Sequence, residues 1–304
     1  MTDTFTPPAP LQTAVLFLIF NRPNTTAQVF DAIRKAQPPR LYVAADGPRA
    51  DRAGEVEKVA KVREIAIAVD WPCEVKTLFR QENQGCKYAV SGGITWFFEH
   101  EEQGIILEDD CLPSQSFFWF CEELLARYKQ NDGVWHISGA TVNNNTKSDD
   151  SYHFSAYPGI WGWATWANRW NPYDVDLVNY REDKFLEISK KYNISKKYWS
   201  RLFQRVKTGE IDTWDYQWIF KIWANSGISI CSNRNMISNI GFGNDATHTK
   251  NIESSLSCIP NEEISKVTHP AILNIDKKMD KYLKNKYFSN KSLLKRIVGR
   301  ITRL

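Results

Sequence analysis

The stretch Gly104-Ile105-Ile106-Leu107-Glu108-Asp109-Asp110 decides how the chain reads. A short apolar run that ends in three carboxylates is the pattern of a strand covered on both faces, emerging at the edge of a parallel sheet. Outward from it the pattern recurs. Ala14–Phe20 is apolar throughout and leads into Asn21-Arg22-Pro23, Leu41–Ala45 leads into Asp46-Gly47-Pro48, and Val75–Phe79 leads into Arg80. Between these runs the spacing predicts helices. The first is capped at Asn24 or Thr25 and carries Val29, Phe30, Ile33 and Ala36 on one face; others cover Glu55–Val69, Lys87–Phe98 and Ser116–Tyr128. A further strand is expected at Val134–Ile137. Strands alternating with helices predict an α/β, Rossmann-like fold with a mostly parallel central sheet flanked by helices. The second half is less regular, with helical segments at Lys196–Lys207 and Trp214–Ala224 and a strand at Ile228–Cys231.

Composition narrows the class. With 304 residues, 42% hydrophobic and 13% aromatic, the chain is too apolar to be disordered. It contains no apolar run of the roughly 20 residues that a membrane span needs. Met1–Gln12 has no basic n-region, so no signal peptide is expected, and the six cysteines show no C-x-x-C pair. Together these predict reduced thiols and a cytoplasmic protein. The net charge of +4 conceals an uneven distribution: residues 277–304 hold ten Lys or Arg against Asp280, a charge of +9, which leaves −5 on the rest. Leu294, Ile297, Val298, Ile301 and Leu304 stand at helical spacing within that basic segment. Such a helix reads as a contact with an anionic membrane surface, giving a peripheral protein on the inner face of the membrane. The acidic body argues against nucleic acid as a partner.

In an open parallel sheet, ligands bind beyond the carboxyl ends of the strands. Here four strand ends deliver Arg22, Asp46, Arg80 and the acidic triplet to one edge. No G-x-G-x-x-G or G-K-[ST] is present to cradle phosphates. The remaining device is a divalent cation, Mn²⁺ or Mg²⁺, held by carboxylates while Arg22 and Arg80 contact phosphate or base and Asp46 accepts from ribose. The plainer role for the triplet, as acids at a helix N-terminus, is disfavoured because the Ser116 helix begins too far downstream.

At this point the sequence resembles GT-A nucleotide-sugar glycosyltransferases, and among them the inverting N-acetylglucosaminyltransferase I type (bacterial family 2-like). The likeness rests on Glu108-Asp109-Asp110, Ser116-Phe117-Phe118 and Val134-Trp135-His136-Ile137-Ser138. Upstream it takes in Asn21-Arg22-Pro23, Asp46-Gly47 and Asn83-Gln84-Gly85. Downstream it takes in Tyr157–Trp163, Trp214-Asp215-Tyr216-Gln217-Trp218 and Ile240–Gly243, so that it covers roughly residues 14–250. It implies a GT-A domain over 13–256, with a nucleotide-sugar half at 13–140 and an acceptor half at 141–256, followed by a basic segment at 257–304. It also implies Asp110 as the direct metal ligand, Glu108 and Asp109 on the ribose side, and Arg22 and Asp46 on UDP, with Arg80 at a nucleotide position where the residue type differs. The family's W-D-D-W motif is one residue longer here. Asp215 takes the place of the catalytic base, with Asp212 in reserve, although Asp215 also suits the first turn of a helix.

His248, in the polar loop after Gly243, is a candidate to reach metal or diphosphate if that loop closes. Eight of the 12 tryptophans fall between Trp161 and Trp223. Trp161 and Trp163, flanking Gly162, suit stacking on an acceptor sugar, whereas Trp214, Trp218 and Trp223 repeat at helical spacing and read as core. The expected activity is therefore metal-dependent, inverting transfer from a UDP-sugar or other nucleotide-sugar to a carbohydrate or lipid-linked glycan, as in polysaccharide biosynthesis, by a hexosyl- or N-acetylhexosaminyltransferase. Two other classes compete. One is a non-catalytic carbohydrate- or nucleotide-binding protein on the same fold, against which the intact triplet argues. The other is a nucleotidyltransferase, whose Gly-rich N-terminal loop Asn21-Arg22-Pro23-Asn24 does not supply.

Overall fold

A computed structural model describes residues 5–141, 148–171, 173–241 and 259–288. The chain begins β1 (Val15–Ile19), α1 (Pro23–Ala36), β2 (Arg40–Ala45), α2 (Glu55–Ala66), β3 (Glu74–Phe79), α3 (Gly85–Phe98) and β4 (Gln103–Glu108). This is the strand–helix alternation expected. β1 is buried along its whole length, with Val15 opposite both Leu41 and Ile105 in parallel pairings, while β3 is the edge strand and carries Glu74 and Lys76. Pro23, not Asn24 or Thr25, opens α1. Its ring supplies a helical φ where no backbone N–H is needed, and the Thr25 and Thr26 hydroxyls instead donate back to the Arg22 carbonyl.

After β4 come β5 (Cys111–Pro113), α4 (Ser116–Tyr128), β6 (Val134–Ser138), β7 (Tyr152–Ser155), β8 (Trp163–Trp166), α5 (Ala167–Trp170), α6 (Glu182–Lys191), α7 (Lys196–Lys207), α8 (Asp215–Ala224), β9 (Ile228–Ser232), β10 (Ile237–Asn239) and α9 (Lys277–Lys286). Eight strands form one sheet in the order β3-β2-β1-β4-β8-β6-β9-β7. Six of them run parallel; β8 and β7 are antiparallel to their neighbours. A two-stranded ribbon, β10 with β5, lies just beyond the acidic triplet.

The tryptophan-rich second half is mostly core. Trp163, Trp166, Trp170, Trp199, Trp214, Trp218 and Trp223 are all buried. The Trp161–Trp166 stretch, which follows neither period cleanly, contains the central strand β8. The segment after residue 257, expected as a separate tail, belongs in part to the body. Glu263 accepts from the Gln115 and Ser116 amides at the start of α4, and α9 packs on β7 through Met279 and Asp280. The stripe from Leu294 to Leu304 lies outside the described residues. Among the described residues no helix is long and apolar enough to cross a membrane.

Candidate functional site

A cavity of about 980 Å³ opens at the carboxyl ends of β1, β2 and β4 and extends towards β9. Arg22, Asp46, Arg80, Glu108, Asp109, Asp110, Trp161, Asp212 and Asp215 all line it. The sheet explains the convergence: β1, β2 and β4 are parallel neighbours, so the residues that follow them emerge side by side.

At the centre, Arg22 Nη1 donates to Asp110 Oδ2 at 2.7 Å. Burial works against the Arg22 charge, but Asp109, Asp110 and Glu108 outweigh it and raise the guanidinium pKa. Asp109 is buried with Oδ2 accepting from the Phe20 amide, and burial beside Asp110 pushes its pKa up to about 7. Glu108 is half-buried in the lining, and burial together with Asp110, Asp109 and Asp215 raises its pKa well above the ordinary carboxylate range. Gly241 closes over the pair. A Cβ built there would stand 2.1 Å from Asp110 Oδ2 and 2.7 Å from Arg22 Nη1, so only glycine admits this packing.

Asp46 and Asp212 also hold the start of α3. Asp46 accepts from the Gly47 amide, Asn83 Nδ2, and the Gln84 and Gly85 amides at 2.9–3.1 Å. Asp212 Oδ1 accepts from the Lys87 amide at 3.0 Å. The two carboxylates thus satisfy orphan N–H groups at the N-terminus of α3, where the helix dipole favours negative charge. Gly85 opens that helix at φ +78°, and a Cβ on it would meet Asp212 Oδ2 at 3.0 Å. Sequence reasoning missed this role because Asp46 and Asp212 reach α3 from remote positions. Arg80 lies under α3, donating to the Ala89 carbonyl at 3.2 Å, and burial lowers its pKa.

Asp215 begins α8, half-buried, and Thr213 Oγ1 donates to its Oδ1. Trp161 reaches the cavity. Trp163 does not: it is fully buried, stacked on Trp214 at 5.6 Å and on His136 at 5.0 Å, because its strand β8 lies between β4 and β6. The expectation that it forms an acceptor wall is corrected accordingly. His248 lies outside the described residues. Among the described residues no group of three or more His, Cys, Asp or Glu side chains is arranged to hold a metal ion. Residues to which the sequence reading gave no role of their own also line the cavity, among them Tyr157, His153, Leu283 and Phe288.

No family model matches the chain, and no curated protein matches it. Among solved structures, S. aureus TarS 1–349 aligns at 8% identity and a TM-score of 0.40, over 75% of this chain and 60% of that one. GlyE, described as a glycosyltransferase of Streptococcus pneumoniae TIGR4, aligns at 9% identity and 0.35, over 72% of this chain and 45% of its own length. An apo UDP-glucose pyrophosphorylase aligns at 9% and 0.37, over 73% of this chain and 90% of that one. This chain therefore spans less than two thirds of the TarS and GlyE structures. Likenesses this distant leave its activity to be argued from its own cavity.

Proposed function

We propose that the chain is a GT-A glycosyltransferase of the inverting N-acetylglucosaminyltransferase I type, moving a sugar from a UDP-sugar to a carbohydrate or lipid-linked glycan acceptor. The observation that supports this reading is the meeting of Arg22, Glu108, Asp109, Asp110 and Asp215 around one cavity at the carboxyl edge of the sheet. Among the described residues no three carboxylates gather as ligands, so a hard cation here would rest on Asp110 and on the donor's own oxygens. Asp110 faces the cavity beside two further carboxylates, and Mg²⁺ or Mn²⁺ is commonly held by one or two carboxylates with phosphate oxygens and water completing the shell. Bound there, the ion would offset charge on the diphosphate leaving group.

The chain's own residues do the rest. Arg22, already turned towards Asp110, is placed to contact phosphate, and Arg80 adds positive charge along the lining. Asp215, oriented by Thr213, takes the proton from an acceptor hydroxyl as that oxygen bonds to the anomeric carbon and the sugar–diphosphate bond breaks, a single displacement that inverts the centre. Asp212, whose Oδ1 accepts from the Lys87 amide, helps hold the start of α3 and is the reserve base. Peripheral attachment to an anionic membrane is assigned chiefly to the residues beyond 288, which carry the apolar stripe from Leu294 to Leu304, because α9 turns its own Met279 onto the domain.

The Arg22–Asp110 ion pair favours one second reading, a carbohydrate- or nucleotide-binding protein without transfer, because the pair occupies the oxygen that a metal would use. Calorimetry with UDP, with and without Mn²⁺, followed by a donor screen, separates the two. Metal-dependent UDP binding with sugar release is expected of the transferase; binding that ignores Mn²⁺ with no turnover would sink it.

A further inference from the structure

The cavity has a second end. Across the sheet from the acidic edge, at β9 and β7, its lining includes His153, Tyr157, Tyr198, Cys231, Leu283 and Phe288. Four inter-strand steps separate β1 from β9, a span of roughly 20 Å. The three arginines of the lining, Arg22, Arg49 and Arg80, belong to the β1–β3 end. The far end is walled by α9, which is pinned at several points. Asp276 caps it through the Lys278 and Met279 amides, Asp280 accepts from Ser155 Oγ at 2.6 Å and the Ala156 amide at 3.0 Å, and Lys284 Nζ donates to the Asn193 carbonyl at 2.6 Å. Just after α9, Phe288 stacks on Tyr157 with centroids 4.8 Å apart and planes 10° apart.

Two polar atoms at this end are buried with no hydrogen-bond partner among the described residues: Tyr157 Oη and His153 Nε2. Tyr157 is 4% exposed. His153 Nδ1 lies 2.7 Å from Asn233 Oδ1, an amide oxygen that only accepts. Nδ1 therefore carries the proton, and Nε2 is left as an acceptor. A buried polar atom without a partner costs about 1–3 kcal/mol, and a ligand hydroxyl brought to either atom would offset that cost. A sugar ring matches: one hydroxyl donates to His153 Nε2, another pairs with Tyr157 Oη, and its C–H faces lie against Leu283 and Phe288. An anionic ligand would find no cation here among the described lining residues.

We infer that the lobe between β7, β9 and α9 is a subsite for a neutral pyranose ring, completed by the C-terminal helix. Calling that ring the acceptor sugar rests on the proposed transferase activity; the lobe itself does not. The test uses the full chain and four probes, the methyl pyranosides of glucose, galactose, mannose and N-acetylglucosamine, followed by saturation-transfer NMR with UDP titrated separately. At least one glycoside is expected to bind. Tyr157→Phe keeps the ring and removes an unpartnered hydroxyl, so its melting temperature should equal the wild type's or exceed it. Its glycoside Kd should weaken about fivefold, the loss of one hydrogen bond, with the UDP Kd unchanged. No glycoside binding in a chain that binds UDP, or equal glycoside affinity in Tyr157→Phe, would overturn the subsite. Tyr157-dependent glycoside binding without any UDP binding would support the subsite and overturn the transferase.

Discussion

Arg22 and Asp110 neutralise one another across 2.7 Å, and the bare backbone of Gly241 leaves just enough room for them to do so. Gly241→Ala removes neither charge but drives a methyl group into both. With the fold retained, checked by circular dichroism, transfer from UDP-sugar should fall about 10- to 100-fold, the scale set by displacing a positioned group by about 1 Å. Asp110→Ala should lose more and also lose any response to Mn²⁺. Wild-type-like turnover in either variant would remove this pair from the chemistry.

The two candidate bases make opposite predictions. Asp215→Asn should bind UDP normally and lose about 10²–10⁴ in kcat, the usual contribution of a general base. Asp212→Ala should keep kcat within a few-fold and lower stability by about 1 kcal/mol, as the loss of a helix cap does. Steady-state kinetics beside urea unfolding decides between them, and reversed outcomes would make Asp212 the base.

Trp161 and Trp163 are separated by one glycine but stand in different surroundings, the first in the cavity lining and the second in the core. Trp163→Ala empties a fully buried site stacked on Trp214 and should cost about 3–5 kcal/mol of stability. Trp161→Ala, at a half-buried side chain packed on the core, should cost less stability than Trp163→Ala while raising the acceptor KM and sparing the donor KM. Chemical denaturation and paired KM measurements check both.

Asp280 gives stability a pH dependence of definite sign. Burial pushes its pKa from 3.8 up to about 6, against the hydrogen bonds from Ser155 and Ala156, with nearby Asp276 acting in the same sense as burial. The folded state therefore holds this proton more tightly than the unfolded chain does. Its contribution to stability is full below pH 3.8 and is lost as pH rises through about 6. Melting curves from pH 4 to 7 should show that decline in the wild type relative to Asp280→Asn. Parallel curves would refute it.

Vesicle pelleting separates the two parts of the basic segment. A chain ending at Phe288 keeps α9 docked, so it should melt like the full chain yet sediment less with anionic vesicles, at about 1 kcal/mol for each basic residue lost from the membrane surface. Ending at Asp276 instead removes the Asp280 bonds and the Phe288–Tyr157 stack, and should lower the melting temperature as well. Equal pelleting of the full and Phe288-ended chains would discard the membrane role.

What the sequence disclosed follows from range. β1, β2 and β4 are mostly runs of buried residues that declare themselves without reference to anything else, and a charged residue stands within three positions of the end of each. The eventual places of Asp46 and Asp212 were hidden because their partners are α3 amides, 38 and 125 positions away respectively for Gln84 and Lys87. Trp163 misled for a related reason: an indole beside glycine suits a sugar platform as well as a core, and only the placement of β8 between β4 and β6 chooses. The short strands β5, β7 and β10, of three or four residues, carry too little periodicity to be seen.

The antiparallel insertion of β8 also has a consequence in time. During synthesis β1, β2, β3 and β4 emerge in turn and can pair at once, but the outer edge of β4 has no partner until Trp163–Trp166 arrives. β6 waits for that same strand before it joins the sheet, and β9 and β7 wait on β6. The fold is thus zipped from its first half through a single short keystone, and amides of β1 and β2 should gain protection from hydrogen exchange in refolding before those of β6 and β9.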